Sequence, residues 1–224
     1  SSGRPQAPAP LDAAPLPFNA QDDRREYLAE WMTSPDNPYF ARAAANRIWA
    51  NFFGVGIVEP VDDLRLTNPP SNARLMRETA QYLVDHDFDL KALMRAILQS
   101  ETYQRTSLPL AENAADRRFF SRYYPRRLMA EVLLDAFSQV LDVPTVFPGD
   151  RGGKFPSGTR AIELPDENVP VHFLDVFGRP ARNKACECER VSEATLGQAL
   201  ALVNSAMIQE KLTSEAGYVA QIID

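Results

Sequence analysis

The chain has 224 residues, 45% hydrophobic and 24% charged, with 24 Lys+Arg against 30 Asp+Glu and a formal net charge of -6. That composition excludes a disulfide scaffold, a collagen-like repeat and a disordered acidic tail, and no run approaches the roughly 18 apolar residues that would span a bilayer. The acidic balance argues against bulk affinity for nucleic acid or anionic membranes, and the two histidines, His86 and His172, leave little for a His-rich metal site or a Ser-His-Asp relay.

Residues 1–21 carry Pro5, Pro8, Pro10, Pro15 and Pro17 among alanines, which favours extended backbone and reads as a linker ahead of one domain over 22–224. Asp22 or Asp23 caps a first predicted helix with the stripe Tyr27, Leu28, Trp31 and Met32. Asn37 and Pro38 form a cap and first-turn pair for a second, whose apolar face is Phe40, Ala44, Ile48, Trp49, Phe52 and Phe53 and which ends at Gly54. Pro60 and the run T-N-P-P-S from Thr67 bracket an irregular segment holding Asp62, Asp63 and Arg65. Ser71 or Asn72 then caps a helix burying Leu75, Met76, Thr79, Ala80, Leu83 and Val84. Asp89 caps another burying Leu90, Leu93, Met94, Ile97 and Leu98, and the short link predicts an antiparallel pair. A helix after Pro125 places Leu128, Met129, Val132, Leu133, Ala136, Phe137 and Val140 inward.

From Pro144 to Val191 the helical period is lost, and the irregular insert 144–191 contains two runs with strand character, at 159–164 and 171–177. It reads as a small β-hairpin or a loop packed on the helices. Helix returns at Thr195 with Leu196, Leu200, Val203, Met207 and Leu212 on the apolar side, and again from Glu215. The order gives a mainly α, bundle-like domain, an architecture that hosts binders, scaffolds and enzymes alike.

Sites must therefore decide function. There is no G-x-S-x-G, no G-x-x-x-x-G-K-[ST], no G-x-G-x-x-G and no H-E-x-x-H. Cys186 and Cys188, in A-C-E-C-E-R, lack the spacing of a haem attachment site and two further strong zinc ligands. Inert thiols are the first reading, a redox pair the second and a metal site the weakest. Glu187 and Glu189 oppose thiolate formation, and Arg190 favours it.

R-R-F-F-S-R-Y-Y-P-R-R at 117–127 has the composition of a surface for anionic polymers, with Arg122, Arg126 and Arg127 as ligand contacts. Its aromatic spacing is first that of a buried helical face, with the arginines pairing to Asp116 and Glu131. Arg127, Glu131 and Asp135 form an i, i+4, i+8 stripe that is either a solvated ion-pair ladder or a pair of carboxylates held by an arginine. Asp62 and Asp63 are a second candidate pair.

The strings L-A-E-W-M-T-S-P-D-N-P-Y-F-A-R (28–42), N-R-I-W-A-N-F-F-G-V-G-I-V-E-P-V-D-D (46–63), P-R-R-L-M-A-E-V-L-L-D-A (125–136), F-G-R-P-x-R with C-E-C-E-R (177–190) and Q-A-L-A-L-V-N (198–204) occur in this order. Over about residues 22–212 they resemble the planctomycete-type domain of unknown function known as the PSD-one domain. The resemblance implies an exported, extracytoplasmic parent protein from Planctomycetes or Verrucomicrobia, with cytochrome-c-like domains upstream. Haem c is expected on those other domains and no cofactor in this piece. It singles out Asn46, Arg47 and Trp49, then Asp62 and Asp63, then Arg126, Arg127, Glu131 and Asp135, then Arg179, Cys186, Arg190, Gln198 and Asn204. Asn46, Arg47, Gln198 and Asn204 are expected to form a structural polar network, and Arg179 and Arg190 to join the ligand-contacting arginines. The chain is expected to be a fragment, since family members continue past its last residue.

Two functions follow as expectations. The first is a non-catalytic helical module that docks sister domains of its parent or binds an anionic or sulfated polysaccharide, without nucleic-acid binding or membrane insertion. The second is a carbohydrate-active hydrolase using Glu131 and Asp135, or Asp62 and Asp63, with carboxyls about 5–9.5 Å apart.

Overall fold

The computed structural model describes residues 5–19, 23–149, 152–166, 168–181 and 194–223. Among them the chain is mainly α-helical, and the only β feature is an isolated antiparallel bridge between Pro148 and Lys154. Among the described residues no helix is long and apolar enough to cross a membrane. The chain divides into two compact units, Ser1–Arg126 and Arg127–Asp224.

In the first unit α1 spans Arg24–Thr33, α2 Phe40–Phe53, α3 Ala73–Asp85 and α4 Leu90–Gln99. The starts follow side-chain chemistry: Asp23, Asn72 and Asp89 accept from the unpaired first-turn N–H groups of α1, α3 and α4. Asn37 serves two helices, accepting from Tyr39 N and Phe40 N at 2.8 and 3.1 Å and donating to Trp31 O at 2.8 Å. Gly54 closes α2 in the left-handed region at φ 75°. The core joins Ile48, Trp49 and Phe53 of α2 to Met76, Ala80 and Leu83 of α3 and to Leu93 and Ile97 of α4.

The predicted stripe of α1 is not buried. No residue of this helix is buried, and Leu28 and Met32 stand 45% and 36% exposed. Half-buried Tyr27 instead donates to Ala14 O at 2.7 Å, and Leu16, in the proline-rich segment, is itself buried.

In the second unit α5 spans Ala130–Leu141, α6 His172–Val176, α7 Leu196–Asn204, α8 Ala206–Leu212 and α9 Tyr218–Ile223, with a 3-10 turn at Ala161–Glu163. The strand-like runs fold as this turn and as α6, because the short apolar segments Ala161–Leu164 and Val169–Phe177 seat onto α5 rather than onto a sheet. Phe173 and Phe177 stack at 4.4 Å. The face of α5 is also rotated from the predicted one. It buries Ala130, Leu134 and Leu141, with Leu133 and Phe137 of the predicted face packed half-buried on the same core; Leu128 and Met129 precede the helix and are exposed, as is Val140 near its end. The stripe Leu196, Leu200 and Val203 likewise faces outward, and the buried residue of α7 is Gln198.

Candidate functional site

Two polar residues of α2, Asn46 and Arg47, hold a loop in place. Asn46 is wholly buried; its Nδ2 donates to Val58 O and Val61 O at 2.9 and 2.8 Å, and its Oδ1 accepts from Val58 N at 3.0 Å. Three backbone groups of the 56–61 segment are thereby satisfied inside the unit. Gly56 sits against the same amide, where a Cβ would lie 2.2 Å from Val58 O. Arg47 pairs with Asp62 at 2.7 Å, with both side chains 52% exposed. Arg65 grips Asp63 through Nε and Nη2 at 2.6 and 2.7 Å, and that hydrogen-bonded pairing holds the Asp63 carboxyl below its ordinary range.

Segment 117–127 is irregular, so its aromatics do not form a helical face. Phe120 and Tyr124 are buried, while Phe119 is exposed. Asp116 organises the segment, accepting from Arg118 N, Phe119 N and Ser121 N at 2.8–2.9 Å and from the Ser121 hydroxyl. Burial pushes the Asp116 pKa up, but these bonds outweigh it and hold the carboxylate far below its usual range. Arg122 is buried over the Tyr124 ring at 5.2 Å and donates to Ser107 O and Tyr123 O. Arg126 is exposed, with its stem against Gly54.

In the second unit Arg127 donates to Gln198 Oε1 and to Phe177 O. Gln198 also donates to Val176 O at 3.1 Å and completes a capping box with Thr195. Arg179 binds Asp175 and Val169 O. Asn204 is exposed at the end of α7. Arg127 precedes α5, so the three-member stripe does not form on one helix. Asp135 accepts from Ala161 N and Ile162 N at 2.6 and 3.2 Å, supplying the 3-10 turn with the acceptor its first N–H groups lack. Glu131 is half-buried and is not free. Cys186, Cys188 and Arg190 lie outside the described residues. No group of three or more His, Cys, Asp or Glu suited to a metal ion occurs among the described residues.

Sequence reasoning missed two features. Lys211 is buried, with Nζ donating to Val143 O and to Ser138 Oγ, and burial pushes its pKa down. The other is a cavity of about 330 Å³ in the first unit, lined by Arg42 of α2, Arg65 of the loop and Arg77 of α3 around Val58, Leu64 and Met76. Sequence spacing carries no signal for it, because the arginines come from three elements that only the fold brings together.

The chain matches, over residues 24–222, the family model described as PSD1, a protein of unknown function (DUF1553), and it belongs to that family. No curated protein and no solved structure matches it.

Proposed function

We propose that the domain is a non-catalytic, extracytoplasmic binding module of a larger protein, which holds an anionic or sulfated polysaccharide beside its sister domains. In this reading any haem c belongs to those sister domains. The observation that carries it is the state of the candidate carboxylates: Asp62 and Asp63 are held by Arg47 and Arg65, and Asp135 by two backbone N–H groups. A general acid needs a carboxyl whose pKa is raised toward neutrality. Arg65 acts on Asp63 in the opposite direction. The arginines at the first-unit cavity supply the cationic surface that an anionic polymer requires.

Affinity electrophoresis through dextran sulfate and through neutral dextran tests the reading. Retardation by dextran sulfate alone, weakening as salt is added, is the expected result. Equal mobility in both gels would overturn it.

A further inference from the structure

We infer that the cavity between α2, α3 and the loop around Leu64 is a site for a single oxyanion carried on a compact body with an apolar face, of the size of one sugar or aryl ring. The inference rests on the anionic-ligand reading above and narrows it to a place and a group.

Three features of the cavity lead there. Its volume of about 330 Å³ lies at the lower end of the range for small-ligand sites. Its inner wall is apolar, with Val58 and Met76 buried and Leu64 half-buried, so a ligand gains by placing an apolar face against it. Its charged lining is entirely cationic.

The three guanidinium groups differ in what else they hold. Arg65 is fixed by two bonds to Asp63, which neutralises much of its charge but sets the plane of its remaining donors. Among the described residues Arg77 has a loose contact with Glu78 at 3.6 Å, with both side chains more than 60% exposed, and such a pair yields readily to a better acceptor. Arg42 has no salt bridge among the described residues. Two arginines are therefore available to an incoming sulfate or carboxylate, and a third is already oriented. Guanidinium suits this task because its planar fork bonds two oxygens at once and is weakly hydrated. A neutral ligand would gain nothing from the guanidinium charges, and a bare anion would leave the apolar wall wet.

The same chemistry is offered by a sulfated sugar and by an aryl sulfate. Calorimetric titration of the chain at low ionic strength with glucose 6-sulfate and with 2-naphthyl sulfate separates them, with glucose and 2-naphthol as uncharged counterparts. Saturable one-to-one binding of either sulfate, at least about tenfold tighter than its counterpart, is expected. In R42Q and R77Q that binding weakens by about tenfold each. A73W fills the cavity from its exposed margin without altering charge, and it blocks binding while the far-ultraviolet circular dichroism stays unchanged. Binding of neither sulfate, binding equal to that of the uncharged compounds, or binding indifferent to A73W and to both arginine variants would each overturn the inference. If dextran sulfate retards the chain while neither small sulfate binds, the polysaccharide reading stands and the cavity assignment falls. The reverse pattern leaves the cavity assigned and removes the polysaccharide.

Discussion

The side chain of Asn46 and the backbone of Val58 exchange two hydrogen bonds, at 2.9 Å from Nδ2 to the carbonyl and 3.0 Å from the amide to Oδ1. A side-chain amide in α2 thus pairs with the 56–61 segment as a neighbouring backbone would, and it does so with no exposure to water. Asn46→Leu leaves those backbone groups buried and unpaired and should lower unfolding free energy by about 2–4 kcal/mol. Gly56→Ala should do comparable damage through the 2.2 Å clash with Val58 O. Urea denaturation followed by tryptophan fluorescence measures both, and a loss below about 0.5 kcal/mol in either would refute this account of the loop.

Asp116 gives a prediction with a definite pH sign. Its folded pKa is depressed, so below the ordinary Asp value of about 3.9 the unfolded chain takes up its proton first. The stabilisation is complete above that value and is lost as pH falls. Asp116→Asn should be less stable than the parent at pH 6 by about 1–3 kcal/mol and should lose less on acidification from pH 5 to pH 2. Parallel stability curves for the two proteins would contradict the assignment.

Asp135 is a hydrogen-bond acceptor for a turn rather than an acid or base. Asp135→Ala should cost about 1–2 kcal/mol, since two N–H groups lose their partner. Mobility in dextran sulfate should be unchanged at temperatures where the variant is folded. A variant of full stability that has lost retardation would place Asp135 in the ligand site instead.

Lys211 acts with the same sign as Asp116 but in the alkaline range. Its pKa is lowered by burial, so between the folded value and the ordinary value near 10.4 the unfolded state holds the extra proton and stability rises with pH. Lys211→Met should abolish that alkaline rise, seen by comparing melting temperatures of the two proteins from pH 7 to pH 10. An identical rise in both would show that another group produces it.

Helices with a strong period and a clear cap were legible in the sequence. Asn72 and Asp89 announce α3 and α4; the buried face of α3 matches the spacing of its apolar residues, while α4 buries Leu93 and Ile97 and leaves the predicted Leu90 and Leu98 exposed at its ends. The stripe of α1 was misleading because period alone does not say whether a helix has anything to pack against. Strand character at 171–177 lost to tertiary context, since Phe173, Leu174 and Phe177 bury against α5 as one short helix and its end. Asn46 and Gln198 are singled out by the family resemblance, and in the fold each is a buried amide whose hydrogen bonds are satisfied. Asp116 gave no comparable signal, because its four donors come from a loop whose shape it creates. Arg42 and Arg77 carry no signal in the sequence, since only the fold brings α2, α3 and the intervening loop together around the cavity.

Binding and cleavage by this domain are read in one experiment. The chain is incubated with dextran sulfate, with retention on the polymer and new reducing ends measured in the same samples. The account predicts salt-sensitive retention, weakened in the R42Q R77Q double variant, with reducing ends at the level of a protein-free control. Reducing ends that accumulate with time and vanish in any of Asp62→Asn, Asp63→Asn, Glu131→Gln or Asp135→Asn would contradict it and establish a hydrolase.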